Sequence, residues 1–394
     1  MSETPDPAPV PTAVQHGWEP LAGSAQSVVL EVLRAGPRPR TELAERLGLS
    51  GPSLSRITRP LLEAGILVER DVVQPTTTGR PSIPLDIDPD AHHFVGVKLT
   101  GDGLFAVATD HRGRVLTERE EPLSATDVPA VVARIAEVVR ALTAEDDRVR
   151  GVCVALGGAT VGRREVRRAP FLGWEDVPLA ALLTDATGLP CSVENDVRAL
   201  THAEHWFGEG RDHRSFALLT IGAGIGLGLV LGGTVVAGAH STAGSIGHQR
   251  LGGAVAESDV RCEFGHRGCA RAVLSERAVS LAGSAALGRE VTAAELLDAA
   301  RDGDTAARAV VDHAAEALGL LVADVVNVVD PEVVLLSGEL VGLAETGRAA
   351  LDRSIEAARH WSTPAPTVVV QPFRFNEWAR GAAAVAIQMH ALGA

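Results

Sequence analysis

The sequence predicts an α/β protein in which a small helical unit that could read DNA precedes a larger body of alternating strands and helices. Three helical patterns with tight turns between them fall within residues 25–65, and repeated strand and helix patterns begin beyond Pro89. The chain has 394 residues and 46% hydrophobic content, enough for two or three domains with separate cores. We therefore expect a helical DNA-binding fold followed by a two-lobed α/β body.

The net charge of -14 argues against a protein whose whole surface is positively charged and binds nucleic acid nonspecifically. The charge is, however, unevenly distributed along the chain. Residues 25–80 contain eight arginines and six acidic residues, whereas the rest of the chain is acidic. Any contact with DNA is therefore expected within the first eighty residues.

Two further segments indicate where in the cell the protein is expected. Residues 1–23 are rich in proline and weakly acidic, which predicts a disordered tail rather than a secretion signal. The most apolar run, residues 216–231, is interrupted by four glycines, so a membrane helix is not expected. We expect a cytoplasmic protein with no membrane partner.

The N-terminal unit, residues 24–88, has the pattern of a trihelical helix-turn-helix. The first helix is expected to end at Ala35, before a Gly-Pro pair. Thr41 is the candidate N-cap of the second helix, and Ser50 is the candidate N-cap of a third helix that ends near Ala64.

Two strand patterns, residues 66–70 and 83–87, flank a polar loop and predict a β-hairpin wing. In this interpretation the third helix lies in the major groove, and the wing reaches a phosphate or the minor groove. The alternative is a small helical interaction module whose arginines form a solvated face. The side chains expected to contact DNA are Ser53, Ser55, Arg56, Arg59 and Arg80.

The body, residues 89–394, is expected to bind a ligand and to form oligomers. Its βα repeats indicate a large α/β domain with two lobes. The predicted strands cover residues 94–99, 103–110, 149–156, 191–194 and 333–336, with a further strand set over 216–236. The predicted helices cover residues 128–142, 177–187, 197–206, 292–301 and 305–329.

Two segments of the body could contact a ligand. Asp196 lies between a predicted strand and a predicted helix, where it could cap the helix or accept a proton from a bound hydroxyl. Asn195 beside it offers a donor and an acceptor to a polyol. The glycine-rich run at residues 222–228 follows a strand and predicts either a phosphate-binding turn or a structural hairpin. It lacks the Gly-Lys-Ser/Thr of a P-loop.

Six segments follow one another along the body: Leu172-Gly173-Trp174, Val193-Glu194-Asn195-Asp196, Gly222-Ala223-Gly224-Ile225-Gly226, Gly244-Ser245-Ile246-Gly247-His248, Cys262 to Cys269, and Asp330 to Gly338. In this order they resemble the ROK family, which groups sugar-responsive transcription regulators with sugar kinases. The resemblance implies an actin-like, two-lobed ATPase fold, and in this family only the regulators carry an N-terminal winged helix-turn-helix.

One departure from the family concerns catalysis. In the kinases, the first strand of the ATPase lobe carries Asp-x-Gly-Gly-Thr, whose aspartate organises magnesium, and Lys98 stands at that aspartate here. A lysine cannot replace a carboxylate as a cation ligand. The resemblance therefore implies a non-enzyme in which Asp196 is a vestigial base and ATP is not expected as a cofactor.

Other departures concern the sugar. Three of the family's sugar contacts are altered here. Phe171 stands at the family's asparagine, and Ser245 and Arg271 stand at two of its glutamates. The resemblance nevertheless places the ligand at four positions, namely Asn195, Asp196, Ser245 and His248.

The family also has a zinc site formed by one histidine and three cysteines. His248, Cys262 and Cys269 match that site, but Phe264 stands at the middle cysteine and cannot bind a metal. Three alternatives are open: a zinc site completed by His266, a three-ligand site with water, or a metal-free loop packed by Phe264.

The expected function is DNA-binding transcriptional regulation, with repression as the expected mode and a sugar or sugar-derived ligand as effector. A homodimer or homotetramer would present two recognition helices to a double-stranded, roughly palindromic operator. One alternative is an active ATP-dependent sugar kinase that uses Asp196 as its base. Another is a regulator that has lost small-molecule sensing.

Overall fold

The computed structural model describes residues 21–71, 82–144, 146–253 and 260–393. Most of the predicted tail falls on residues 1–20, and the predicted wing loop falls on residues 72–81. These parts of the prediction, including Arg80, lie outside the described residues.

The N-terminal unit has the three predicted helices and a small sheet in which β3 lies between β1 and β2. Ser50 caps the third helix by accepting a hydrogen bond from the Ser53 amide at 3.3 Å, as predicted. The elements are α1 (Gly23–Ala35), β1 (Arg38–Pro39), α2 (Arg40–Arg46), α3 (Gly51–Glu63), β2 (Leu67–Glu69) and β3 (Pro84–Ile87).

The predicted N-cap at Thr41 is wrong. The second helix begins at Arg40, two residues before the predicted start at Glu42, and Pro39 occupies the cap position without a side-chain hydrogen bond. The reason is long-range: Pro39 pairs with Pro84 of β3 and is thereby held extended immediately before the helix.

Three kinds of contact fix the N-terminal unit on the body. Apolar side chains of α1 share a core with the C-terminal helix. The buried carboxylate of Asp86 in β3 pairs with Arg70 of the same unit and with Arg112 of the body. Arg34 at the end of α1 lies 2.8 Å from the ring of His205, measured from Nη2 to Nε2.

The first lobe of the body is built on a sheet in the order β11-β7-β4-β5-β6, with β4, β7 and β11 parallel. Its strands are β4 (His93–Leu99), β5 (Gly103–Thr109), β6 (Val115–Pro122), β7 (Val149–Leu156) and β11 (Cys191–Asn195). A second sheet contains β8 (Ala159–Val161), β9 (Glu165–Ala169) and β10 (Trp174–Val177), and the helices are α4 (Val128–Thr143), α5 (Leu179–Thr187) and α6 (Asp196–Phe207).

The helix predicted from residue 177 begins later, at Leu179. Val177 instead ends β10, because it pairs with Val166 of β9 in the small second sheet. The sequence did not predict this sheet.

The second lobe has a sheet in the order β14-β13-β12-β15-β16. Its strands are β12 (Phe216–Ile221), β13 (Ile225–Leu231), β14 (Thr234–Val235), β15 (Val333–Ser337) and β16 (Thr367–Val370). Its helices are Ala270–Leu274, Glu276–Leu287, Ala293–Arg301, Thr305–Val329, Gly342–Thr346 and Arg348–Ala358. The glycine-rich run forms the turn and second strand of an antiparallel hairpin, so the hairpin alternative is confirmed.

The C-terminal helix, Phe375–His390, packs against β4, β7 and α6. Two glycines allow this close approach. A Cβ atom at Gly96 would lie 2.0 Å from the carbonyl oxygen of Ala379, and one at Gly381 would lie 2.8 Å from the backbone of α6. Within the described ranges, no helix is both long and apolar enough to cross a membrane.

Candidate functional site

A cleft of about 770 Å³ lies between the two lobes and is lined by residues of both. The ends of β4, β7 and β11 approach it from the first lobe, and the turn at Gly222–Gly224 approaches it from the second. Because the carboxyl ends of parallel strands meet at one edge of a sheet, this is where such folds bind ligands. The volume suits a small organic molecule.

A buried ion pair lies within this cleft. The ammonium group of Lys98, from the end of β4, pairs with the carboxylate of Asp196, from the start of α6. Their side chains are 6% and 12% exposed, and Lys98 also lies 5.0 Å from the centre of the Trp378 ring. The carboxylate at the position expected to hold the catalytic base is therefore engaged in an ion pair. The sequence analysis identified both residues without predicting that they pair.

Asn195, rather than Asp196, caps α6. The side-chain oxygen Oδ1 of Asn195 accepts a hydrogen bond from the backbone amide of Arg198 at 3.1 Å, and the side-chain Nδ2 donates to the Gly158 carbonyl at 3.0 Å. Asp196 is the first residue of the helix and accepts a hydrogen bond from the amide of Val197. Asn195 thus holds the cleft wall and keeps one acceptor lone pair for a ligand.

Glu194, the residue before Asn195 in β11, holds this wall of the cleft in place through buried ion pairs. It is 1% exposed and forms ion pairs with Arg163 and Arg198, both of which lie around the start of α6. Arg198 also donates to the carbonyl of Ser241 at 2.9 Å, which joins the wall to the loop that precedes Ser245. This network fixes the geometry of the cleft.

Glu339 is a cleft residue that the sequence analysis missed. Its carboxylate lies against the glycine turn, since a Cβ atom at Gly222 would come within 1.7 Å of Glu339 Oε2. Partial removal from water raises the pKa of Glu339; Asp196 and Glu276 act in the same direction and Lys98 opposes them. The turn that could have bound phosphate therefore faces a carboxyl group.

The three residues that differ from the family's sugar contacts lie at the rim of the cleft. Phe171 is 48% exposed, and the guanidinium of Arg271 lies 5.9 Å from the centre of its ring. Arg271 is ion-paired with Glu263. Ser245 lines the cleft and donates to the Thr242 carbonyl at 2.9 Å. Together these residues give one side of the rim an aromatic ring and an ion-paired guanidinium.

His248 belongs to a separate cluster and is not among the residues that line the cleft. Its Nδ1 atom lies 3.7 Å from Cys262 Sγ and 3.8 Å from Cys269 Sγ. His266 Nδ1 lies 3.6 Å from Cys262 Sγ and 2.9 Å from His248 Nδ1. The described residues therefore include a possible metal site of histidine and cysteine.

Phe264 does not fill the space between these donors. Its side chain is 57% exposed, and its ring contacts His248 edge-on at a centroid distance of 5.3 Å. The two cysteines are buried, at 7% and 0% exposure. The arrangement leaves the donor atoms of His248, Cys262 and Cys269 within 4.8 Å of one another, as a metal site requires.

The exposed face of α3 carries the residues expected to contact DNA. Ser55, Arg56 and Arg59 are exposed, whereas Ser53 is half-buried and its hydroxyl lies 2.8 Å from that of Ser50. Arg59 is ion-paired with Glu63 at 2.8 Å. Among these residues, Arg56 is therefore the arginine with no ion pair within the described part of the chain.

Comparison with known proteins identifies the family. The ROK family model matches residues 94–389, and an IclR helix-turn-helix domain model matches residues 28–71. The DNA-binding transcriptional dual regulator NagC of Escherichia coli (strain K12) is 27% identical over 349 residues, which cover 84% of this chain and 85% of NagC. The DNA-binding transcriptional repressor Mlc of the same strain is 25% identical over 339 residues, covering 82% of each chain.

The fold is also similar to that of a solved regulator of this family. A crystal structure of a ROK family transcriptional regulator, described as a homolog of the E. coli Mlc protein, matches with a TM-score of 0.80 and 26% identity. The match covers 92% of this chain and 94% of that chain, so it includes the N-terminal unit as well as both lobes. The chain therefore belongs to the ROK family and carries a helix-turn-helix domain ahead of the two-lobed sugar-kinase fold.

Proposed function

We propose that the protein is a DNA-binding transcriptional repressor that responds to a sugar or sugar-derived ligand and has no kinase activity. The Lys98–Asp196 ion pair is the observation that carries the proposal, because it ties up the carboxylate at the family's base position and puts a lysine where the kinases carry their magnesium aspartate. The relatives NagC and Mlc, by their names, bind DNA and regulate transcription. The proposed domains are a DNA-binding unit at residues 24–88 and an effector and oligomerisation domain at residues 89–394 of a cytoplasmic protein.

Helix α6 connects the ligand cleft to the DNA-binding unit. Asp196 at its first residue lines the cleft, and His205 near its last turn contacts Arg34 of the N-terminal unit. A helix of 12 residues spans about 18 Å, so a shift of α6 on ligand binding would reach the DNA-binding unit directly. In a homodimer or homotetramer, such a shift changes the spacing of two recognition helices relative to a palindromic operator.

The contact between α3 and DNA is tested with Arg56→Ala. An operator is first selected from genomic DNA fragments with the wild-type protein. We expect the variant to lose about 1–3 kcal/mol of binding free energy at fixed salt, because a base contact is removed. Arg289→Ala, an exposed arginine of the body, is the matched control and should bind as the wild type does. An unchanged affinity of Arg56→Ala would show that α3 is misassigned as the recognition helix.

The kinase alternative predicts turnover. A nucleotide bound at the Gly222–Gly224 turn would bring its phosphates towards the carboxyl group of Glu339, and Lys98 stands where magnesium needs a carboxylate. We therefore expect no ADP release above the protein-free background with hexoses or amino sugars in a coupled assay. Sustained release that disappears in Asp196→Asn would establish a kinase instead.

For the cluster behind the cleft we propose a structural zinc ion held by His248, Cys262, Cys269 and His266. Tetrahedral zinc with bonds of about 2.3 Å to sulfur and 2.0–2.1 Å to nitrogen requires nitrogen-to-sulfur separations of about 3.6 Å. Three of the four nitrogen-to-sulfur distances are 3.6, 3.7 and 3.8 Å. The donors that all lie within 4.8 Å of one another are those of His248, Cys262 and Cys269, and His266 is proposed as the fourth ligand because its Nδ1 lies beside Cys262. Zinc would join the loop at residue 248 to the segment that carries Arg271, and so support the rim of the cleft.

A further inference from the structure

A second cleft, with a volume of about 1170 Å³, lies where the N-terminal unit meets the body. It shares no lining residue with the cleft between the lobes. Eight arginines line it, against three carboxylates, those of Glu31, Asp212 and Glu377. Two of these arginines are ion-paired with carboxylates outside the lining: Arg38 pairs with Glu42, and Arg112 pairs with Asp86. The lining arginines without an ion pair among the described residues are Arg34, Arg114 and Arg214. In a chain whose net charge is -14, these three guanidinium groups make one concave surface attractive to anions.

Several of these guanidinium groups keep unused hydrogen-bonding capacity. Arg114 and Arg214 are exposed, and neither forms an ion pair with another described residue. The buried Nε of Arg38 also lacks a hydrogen-bond partner within the described ranges. Arg34 contacts the ring of His205, whose pKa is lowered to about 4, first by burial and then by Arg34. That ring is neutral at pH 7, so it can accept a hydrogen bond from Arg34 and does not repel the guanidinium.

We infer that this cleft binds a small molecule that carries at least two phosphate groups, held by Arg114 and Arg214 of the body together with Arg34 of the N-terminal unit. Guanidinium groups match phosphate oxygens in charge and in their paired donor geometry. A neutral sugar would leave these three guanidinium charges uncompensated, and a single phosphate would compensate two at most.

The position of the cleft separates this ligand from DNA. No residue of α3 lines it, so it is not a continuation of the surface expected to read the operator. Its walls come from both the N-terminal unit and the body, and a bound polyanion would therefore favour one arrangement of the two. This site goes beyond the proposed sugar response and does not depend on it.

The test is a calorimetric titration of the full chain at constant ionic strength, without DNA and without sugar. Three probes distinguish the sources of the phosphates: inorganic pyrophosphate, ADP and fructose 1,6-bisphosphate. We expect saturable binding of at least one probe at one site per chain. Arg114→Gln/Arg214→Gln should weaken it by about ten-fold or more, because two charge-assisted contacts are lost.

The matched control is Arg167→Gln/Arg289→Gln, which removes the same charge from exposed positions outside the cleft. It should change the dissociation constant by less than about two-fold, because distant exposed charges are largely screened. The proposal is overturned if none of the probes binds saturably at millimolar concentration, or if both double variants weaken binding equally. In a separate titration with random duplex DNA, a cleft variant that weakens only DNA binding, with unchanged binding of the three probes, would also overturn it.

Discussion

Lys98→Met is expected to lower the free energy of unfolding by about 3 kcal/mol, because it leaves the carboxylate of Asp196 buried without its partner. The pair is nearly enclosed, with side-chain exposures of 6% and 12%. The methionine keeps the length of the side chain and its contact with the Trp378 ring. Urea unfolding of the variant and the wild type, with linear extrapolation to water, measures the difference.

A double-mutant cycle separates this effect from general damage to the core. Lys98→Met/Asp196→Leu replaces the ion pair with apolar side chains, and such replacements are often nearly neutral. We therefore expect the double variant to be more stable than Lys98→Met alone, with a coupling energy of about 2 kcal/mol. If the two single changes simply add, the two side chains do not interact and the ion pair is not a feature of the cleft.

Zinc content is expected to be about one equivalent per chain in protein purified without chelator. In Cys262→Ala it should fall to near zero, since the buried thiolate at the centre of the cluster is lost. Because structural zinc contributes directly to folding, the variant should also unfold at a lower temperature. Cys191→Ala, a partly buried cysteine of the first lobe, is the matched control and should retain full zinc.

His266→Ala then distinguishes the two metal-bound alternatives. If His266 is the fourth ligand, the variant should lose zinc to a chelator at concentrations that the wild type resists. An unchanged chelator sensitivity would instead indicate three protein ligands and water. A zinc content near zero in the wild type would contradict the zinc proposal and favour the metal-free alternative for this loop.

Local signals in the sequence predicted much of the fold. The cap at Ser50 was correct because a serine before an apolar helical pattern acts within a single turn. The cap at Thr41 and the start of the helix at residue 177 were wrong because strand pairing set both boundaries. Pro39 pairs with Pro84, and Val177 pairs with Val166. Pairings of this kind depend on the tertiary fold, which helical periodicity does not contain.

The candidate site was predicted in part for the same reason. Asp196 could be found because it lies in a recognisable motif at the head of a helix. Its pairing with Lys98 could not, since the two residues are 98 positions apart and meet only where parallel strands end side by side. Glu339 was missed because only the folded chain brings it against Gly222. The arginine-rich cleft likewise requires both the N-terminal unit and the body to be in place.

The affinity for the selected operator, measured with and without sugars, tests the central claim most directly. The panel should contain hexoses, pentoses, N-acetylated amino sugars and their phosphates, and it should be repeated with Asp196→Asn. We predict that at least one compound weakens operator binding of the wild type by about ten-fold, a coupling of about 1.4 kcal/mol. That response should disappear in the variant. An operator affinity that stays the same with every compound would contradict a sugar-responsive regulator.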